Sequence, residues 1–209
     1  MTLDIDNSFS DENIINRFTE IRDKSFPSCR KTKLRFDNTR AFLIYRFPIR
    51  NIIYLNNSKI NSIPLNENSL DGLVAYGLSS QLSYSIRNLY GKGEYLWQTY
   101  MTNKNKVLDE ACLIAISKGY GNRIISLLDV LDYMHSEFSA HSVTRKSDTV
   151  YANRIREMAD MGSMKYLNKM EAENSLPPQE IVDLIMCNMF GDINEFRSKK
   201  KKNSTFLCL

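Results

Sequence analysis

The chain has 209 residues, 43% of them hydrophobic, which is enough for one folded domain with a sizeable core. No apolar run approaches the roughly 18 residues a membrane span needs, and no signal-peptide pattern opens the sequence, so stable membrane insertion is not expected. The net charge of +4 traces to Lys199 to Lys202; without them basic and acidic residues are equal in number, and no cluster of cations interleaved with stacking aromatics announces a nucleic-acid partner.

Residues 1–9 are polar and rich in Asp, Asn and Ser, and are expected to form a flexible leader. Ser10 followed by Asp11 and Glu12 reads as an N-cap with carboxylates in the first turn. Ile14, Ile15, Phe18 and Ile21 then recur at helical spacing to about Lys24, and Pro27 ends the helix. From Ala41 to Val74 the pattern becomes β-like. Phe42 to Phe47, Asn51 to Leu55, Lys59 to Ile63 and Gly72 to Tyr76 are expected strands, divided by Pro48, by the Asn56-Asn57-Ser58 turn, by Pro64 and by Gly77. Strands in succession without helices between them predict a small, mainly antiparallel sheet.

The next segments read as helical: one around Trp97, one over Val107 to Lys118 stopped by Gly119-Tyr120-Gly121, and one from Ile124 to Phe138, although Arg123 to Leu128 also suits a strand. Residues 151–171 carry a looser helical pattern, Pro177 and Pro178 interrupt it, and Gln179 to Phe190 is amphipathic. The expected organisation is a leader and short helix over 1–25, one α+β domain over 26–197, and a basic tail over 198–209.

Two segments could hold an anionic ligand against the sheet. A guanidinium at Arg40, opening the strand Arg40-Ala-Phe-Leu-Ile-Tyr-Arg-Phe-Pro48, can offer a fork of donors to phosphate or ribose oxygens. In the expected turn Tyr76-Gly77-Leu78-Ser79-Ser80, the Tyr76 ring could stack on a base, Gly77 would permit close backbone approach, and Ser79 could orient sugar hydroxyls. The blander reading is a surface arginine and an ordinary turn.

Those stretches, together with Leu108-Asp-Glu-Ala-Cys-Leu-Ile-Ala-Ile-Ser-Lys-Gly-Tyr-Gly121, resemble the EspJ/HopF family of type III secreted effectors over residues 40–148. The resemblance implies an ADP-ribosyltransferase-like fold and the use of NAD as substrate. It also implies secretion into the host cytoplasm, where a host signalling protein, by family a tyrosine kinase, would be modified and phagocytosis signalling inhibited. A secretion chaperone is a further implied partner. The family pairs an arginine early in the sheet with a downstream aspartate. Arg40 and Asp148 match that order, with Arg46 and Arg50 as rivals for the arginine and Asp129 and Asp132 for the aspartate. Cleavage of the nicotinamide–ribose bond develops oxocarbenium character, which the Asp148 carboxylate would stabilise while Arg40 holds the pyrophosphate or ribose. The Ser-Thr-Ser motif of arginine-specific transferases is absent from the sequence, and the acceptor is not legible.

Other chemistry is less well marked. Cys112 with His135 or His141 and Asp148 has the composition of a thiol protease triad, but Cys112 lies within Ala-Cys-Leu-Ile-Ala-Ile, where cysteine serves as a small apolar residue. The four cysteines show no CxxC pair and read as free thiols in a reducing compartment. The two histidines are six positions apart, which is not a metal-ligand spacing on a helix, and no metal is expected. Gly91-Lys-Gly93 lacks the third glycine of a phosphate loop. Near the C-terminus, Phe206 stands where prenylation needs cysteine, and Thr2 stands where myristoylation needs glycine. A non-catalytic binding module remains the alternative to a transferase.

Overall fold

The computed structural model describes residues 9–39, 43–47, 50–89, 104–138 and 145–190. Helix α1 (Asp11–Ser25) starts as its sequence requires: Ser10 is extended, and its Oγ accepts the Asn13 N–H at 3.2 Å. Ile14, Phe18 and Ile21 face inward, and Phe26, fully buried, precedes a 3₁₀ turn that opens on Pro27. α1 is therefore part of the core.

Three four-residue strands follow: β1 (Lys33–Phe36), β2 (Ile44–Phe47) and β3 (Ile52–Leu55). The sheet order is β1-β3-β2. β1 runs parallel to β3 with Lys33 opposite Ile52, and β2 runs antiparallel to it with Ile44 opposite Leu55. The expectation of a mainly antiparallel sheet is thus corrected: the sheet is mixed, because β1, which the sequence reading overlooked, inserts as β3's parallel neighbour.

Two further expected strands are helical. Asn56 does not make a simple turn before a strand over Lys59 to Ile63. Its side chain accepts the Lys59 N–H at 2.9 Å and caps the short helix α2 (Asn57–Ile60). Gly72 to Tyr76, read as a strand, lies inside α3 (Glu67–Leu89). Asn66 and Ser69 exchange side-chain bonds with each other's backbone N–H at 2.9 and 2.8 Å, which starts that helix. Leu70, Leu73, Val74, Leu78 and Leu82 then recur at spacings of three and four and are all buried. A five-residue window of Gly, Leu, Val, Ala and Tyr is ambiguous; the longer period decides it.

α4 (Lys104–Ser117) ends as expected at Gly119, whose φ of +86° is left-handed. Gly119 donates to Ile116 O and Tyr120 to Ala115 O, the two bonds of a Schellman ending. α5 (Gly121–Phe138) follows at once. α6 (Arg145–Met161) and α7 (Ser163–Ala172) are divided by Gly162, and α8 (Gln179–Phe190) completes the described fold. The described residues are mostly helical with one small sheet, broadly α+β. Among the described residues no helix is long and apolar enough to cross a membrane.

α3 is the central element, packed on α1, α4, α5, α8 and β2. One side of it joins a large core with α4 to α8, centred on Leu78, Leu113, Ile114 and Ile155; the other joins a smaller core of Leu55, Ile60, Leu65 and Leu70 beneath the sheet and α2. Two glycines set its approach to its neighbours. A Cβ on Gly72 would lie 2.2 Å from the Arg123 carbonyl oxygen of α5, whereas one on Gly77 would meet only the Cδ1 tip of Ile44, at 2.6 Å. Gly72→Ala is therefore expected to cost about 2–3 kcal/mol through forced helix separation. Gly77→Ala should stay within about 1 kcal/mol of the parent, because the Ile44 tip can move and alanine favours the helix. Urea midpoints of the two variants test this, and equal midpoints would refute the tight α3–α5 contact.

Candidate functional site

The described residues cover only part of the sequence-predicted site. Arg40 lies outside the described residues. Asp148 falls in the first turn of α6 and Arg46 in β2, with neither side chain described. Tyr76, Gly77 and Ser79 are not on a turn: they sit within α3, where Gly77 and Ser79 are buried and Tyr76 is half-buried against the large core. Their backbone N–H groups serve the helix and cannot cradle a phosphate. Ser79 Oγ is fully buried and makes no hydrogen bond. Among the rivals, Arg50 is exposed just before β3, and Asp129 is held by Arg156 Nη2 at 2.9 Å.

The thiol reading fares no better. Cys112 is 5% exposed and sits in the large core. His135 lies on α5 without a described side chain, and His141 lies outside the described residues. Among the described residues Cys29, Cys112 and Cys187 form no disulfide. Burial pushes the Cys29 thiol up to about 11, which leaves it unreactive near neutrality. The Gly91–Gly93 segment and the helix expected around Trp97 lie outside the described residues.

The structure instead brings together a polar cleft of about 240 Å³ between α1, α3 and α5, lined by Arg17, Glu20, Ile21, Lys24, Asp71, Tyr120 and Arg123. On α1 the lining positions 17, 20, 21 and 24 follow helical spacing and form one face. Asp71, with a side chain only 11% exposed, is the centre of the arrangement: its Oδ1 accepts Arg17 Nε at 2.7 Å and its Oδ2 accepts Arg123 Nε at 3.3 Å. Arg17 also reaches the exposed Glu67 at 3.2 Å. The hydrogen bond and charge of Asp71 hold the Arg17 guanidinium above its ordinary value, against the opposing effect of burial.

Arg123 is the more open of the two arginines, its side chain 42% exposed. Its guanidinium carbon lies 5.4 Å from the Tyr120 ring centroid, and the Tyr120 hydroxyl is in turn 2.9 Å from Ser25 Oγ. Nε is thus committed to Asp71 while the planar group is held over an aromatic face, which leaves the two Nη groups as donors. Lys24 adds a further cation at the rim. The cleft's three cations exceed its two carboxylates, Glu20 and Asp71. Among the described residues its lining holds no histidine, no thiol and no closely spaced carboxylate pair, and the donors it presents are cationic.

Sequence reading missed this site, although a signal was present. Asp71 interrupts the apolar run from Leu70 to Val74, and a carboxylate in such a run requires a cationic partner once buried. Nothing in the sequence says that the partners are Arg17 and Arg123. A second polar layer lies between α3, α4 and α6: Ser83 Oγ donates to Glu110 Oε2 at 3.3 Å, and Asp109 pairs with Arg154. Among the described residues no group of three or more His, Cys, Asp or Glu side chains could hold a metal.

Replacing Asp71 by Asn should lower stability by about 2 kcal/mol, because two guanidinium groups lose their shared counter-charge in a half-dry setting. Glu67→Gln should cost less than about 0.5 kcal/mol, as its side chain is 75% exposed. Urea unfolding of both variants tests the assignment, and an Asp71→Asn protein as stable as the parent would remove Asp71 from the centre of the site. Comparison of the chain with protein-family models, with curated proteins and with solved structures found no match.

Proposed function

We propose that this protein is a binding protein whose α1/α3/α5 cleft takes a small anionic group, phosphate or carboxylate, through Arg123 and Lys24. The observation that carries the reading is the division of labour at Asp71: it fixes both arginines through Nε and leaves the Nη donors of Arg123 beside an open cleft. The fork geometry of a guanidinium suits a two-oxygen acceptor, and its position over the Tyr120 ring limits the conformations it must lose on binding. The volume of about 240 Å³ lies below the roughly 300–1,000 Å³ of sites that enclose drug-sized ligands, which favours a single anionic group over a whole dinucleotide.

Titration calorimetry with inorganic phosphate and with acetate, at low and moderate salt, tests this reading. Saturable binding should weaken by about tenfold in Arg123→Gln, somewhat less in Lys24→Gln, and in both cases with rising ionic strength. Binding that is absent, or indifferent to both substitutions, would reject the cleft as the site.

A second reading rests on the resemblance of the stretches at residues 40–48, 71–80 and 108–121 to the EspJ/HopF effectors. On that reading the chain has an ADP-ribosyltransferase-like fold, is delivered by type III secretion with a chaperone, and transfers ADP-ribose from NAD to a host signalling protein such as a tyrosine kinase, with Arg40 and Asp148 at the reaction. Three short strands and a helical Tyr76–Ser80 segment give it no added support. Incubation with labelled NAD and candidate kinase domains separates the two readings. Label transfer and nicotinamide release that vanish in Arg40→Ala and Asp148→Ala would establish the transferase; no turnover, with phosphate binding intact, would leave the binding protein.

A further inference from the structure

The segment from Arg22 to Phe36, which touches the cleft only through Lys24, stands out in charge. It carries Arg22, Lys24, Arg30, Lys31, Lys33 and Arg35 against the single carboxylate of Asp23, and from Lys24 to Phe36 it has no acidic residue. The equal number of basic and acidic residues outside Lys199 to Lys202 conceals this run, because the balance is a sum over the chain. Asp23 is already paired with Arg22 at 2.8 Å. Arg30, Lys31, Lys33 and Arg35 are exposed and form no ion pair among the described residues.

Among the described residues the same segment also carries an unpaired sheet edge. β1 is the outer strand on its side of the sheet, and among the described residues no strand flanks it. Lys33 N–H donates to Asn51 O at 2.8 Å and Asp37 N–H to Leu55 O at 2.9 Å. In a parallel ladder alternate residues bond to the same neighbour, so Lys33, Arg35 and Asp37 face β3 with their backbone groups. The N–H and C=O groups of Leu34 and Phe36 are therefore directed to the open edge. The side chains alternate as well: Lys33 and Arg35 are exposed, while Leu34 and Phe36 are half-buried against the core.

We propose that the outer edge of β1 is a docking site for an extended peptide of alternating acidic and apolar residues from a partner protein, which adds to the sheet as a fourth strand. Backbone groups of the peptide would bond to those of Leu34 and Phe36. Its acidic side chains would lie beside Lys33 and Arg35 on the solvent face, and its apolar side chains beside Leu34 and Phe36 on the core face. Charge selects this occupant. Cations on an edge repel a second copy of the same edge and so guard against self-association, while they favour an acidic strand. The inference is independent of the anion cleft, since it uses neither Arg17, Asp71 nor Arg123.

The test uses the full chain and a fluorescent peptide of Val and Glu in strict alternation, followed by anisotropy. Saturable binding is expected, weakened about tenfold or more in the Lys33→Glu/Arg35→Glu variant, and absent with a Val/Lys peptide. Leu34→Pro removes an N–H that β3 does not use, so it should abolish binding while the fold persists. If that variant fails to fold, slowed amide exchange of Leu34 and Phe36 on peptide addition to the parent protein serves as the same readout. Binding that survives Leu34→Pro, or leaves those amides unprotected, would reduce the site to a charged surface and overturn strand addition. No binding, or displacement of the peptide by a short oligouridine that itself binds more tightly through Lys33 and Arg35, would overturn the proposed partner.

Discussion

Helix α3 can lie against α5 only because position 72 has no side chain: the Arg123 carbonyl oxygen occupies the space where a Cβ would be. Much of the remaining structure depends on that contact. It lets a 23-residue helix touch four other helices and the sheet, so that two apolar cores share one element as their common wall. It also places Asp71, the residue before the glycine, within reach of an arginine from each flanking helix. The close approach and the ion triad are thus one feature with two aspects, steric at Gly72 and electrostatic at Asp71.

The polar interior has a different character on α3's other side. Gln81 and Ser83 on α3, with Asp109 and Glu110 on α4, are all buried. Gln81 Nε2 donates to Asn51 Oδ1 at 3.1 Å, just where Asn51 adopts a left-handed φ of +50° on entry to β3. Asp109 takes Arg154 from α6 as its counter-ion. Such contacts add little net stability over an apolar layer of equal volume, yet breaking any one of them strands a buried polar group. They constrain which helix faces which, a task that interchangeable Leu and Ile contacts do less well.

Legibility in the sequence followed the range of the interactions. The two ends of α1 and the C-terminal end of α4 were readable because each is fixed within a few residues, by Ser10 and its acidic first turn, by Pro27 and by Gly119 in a Schellman ending, whereas α5, read from Ile124 with a strand as the alternative over Arg123 to Leu128, begins at Gly121. The middle of the chain was not. Gly72 to Tyr76 has strand-like composition in a short window and becomes helical because Leu70 through Leu82 bury a continuous stripe. Lys33-Leu-Arg-Phe36 alternates as a strand should, but with two charged residues in four it has too little apolar content to stand out, and only β3 beside it makes it a strand.

The sequence by itself determined the broad class, the capped start of α1, the glycine-stopped end of α4 and the absence of paired cysteine motifs, since composition, periodicity and these two helix ends are local properties. Tertiary structure alone decided the mixed order of the sheet, the burial of Gly77 and Ser79 inside a helix, and the union of Arg17, Asp71 and Arg123 in one cleft. These three residues are separated by about fifty positions at each step, and no local pattern encodes which distant guanidinium a buried carboxylate will meet. That choice is made by the packing of α1 and α5 on α3, because a half-buried charge is tolerable only where the fold brings its partners to it.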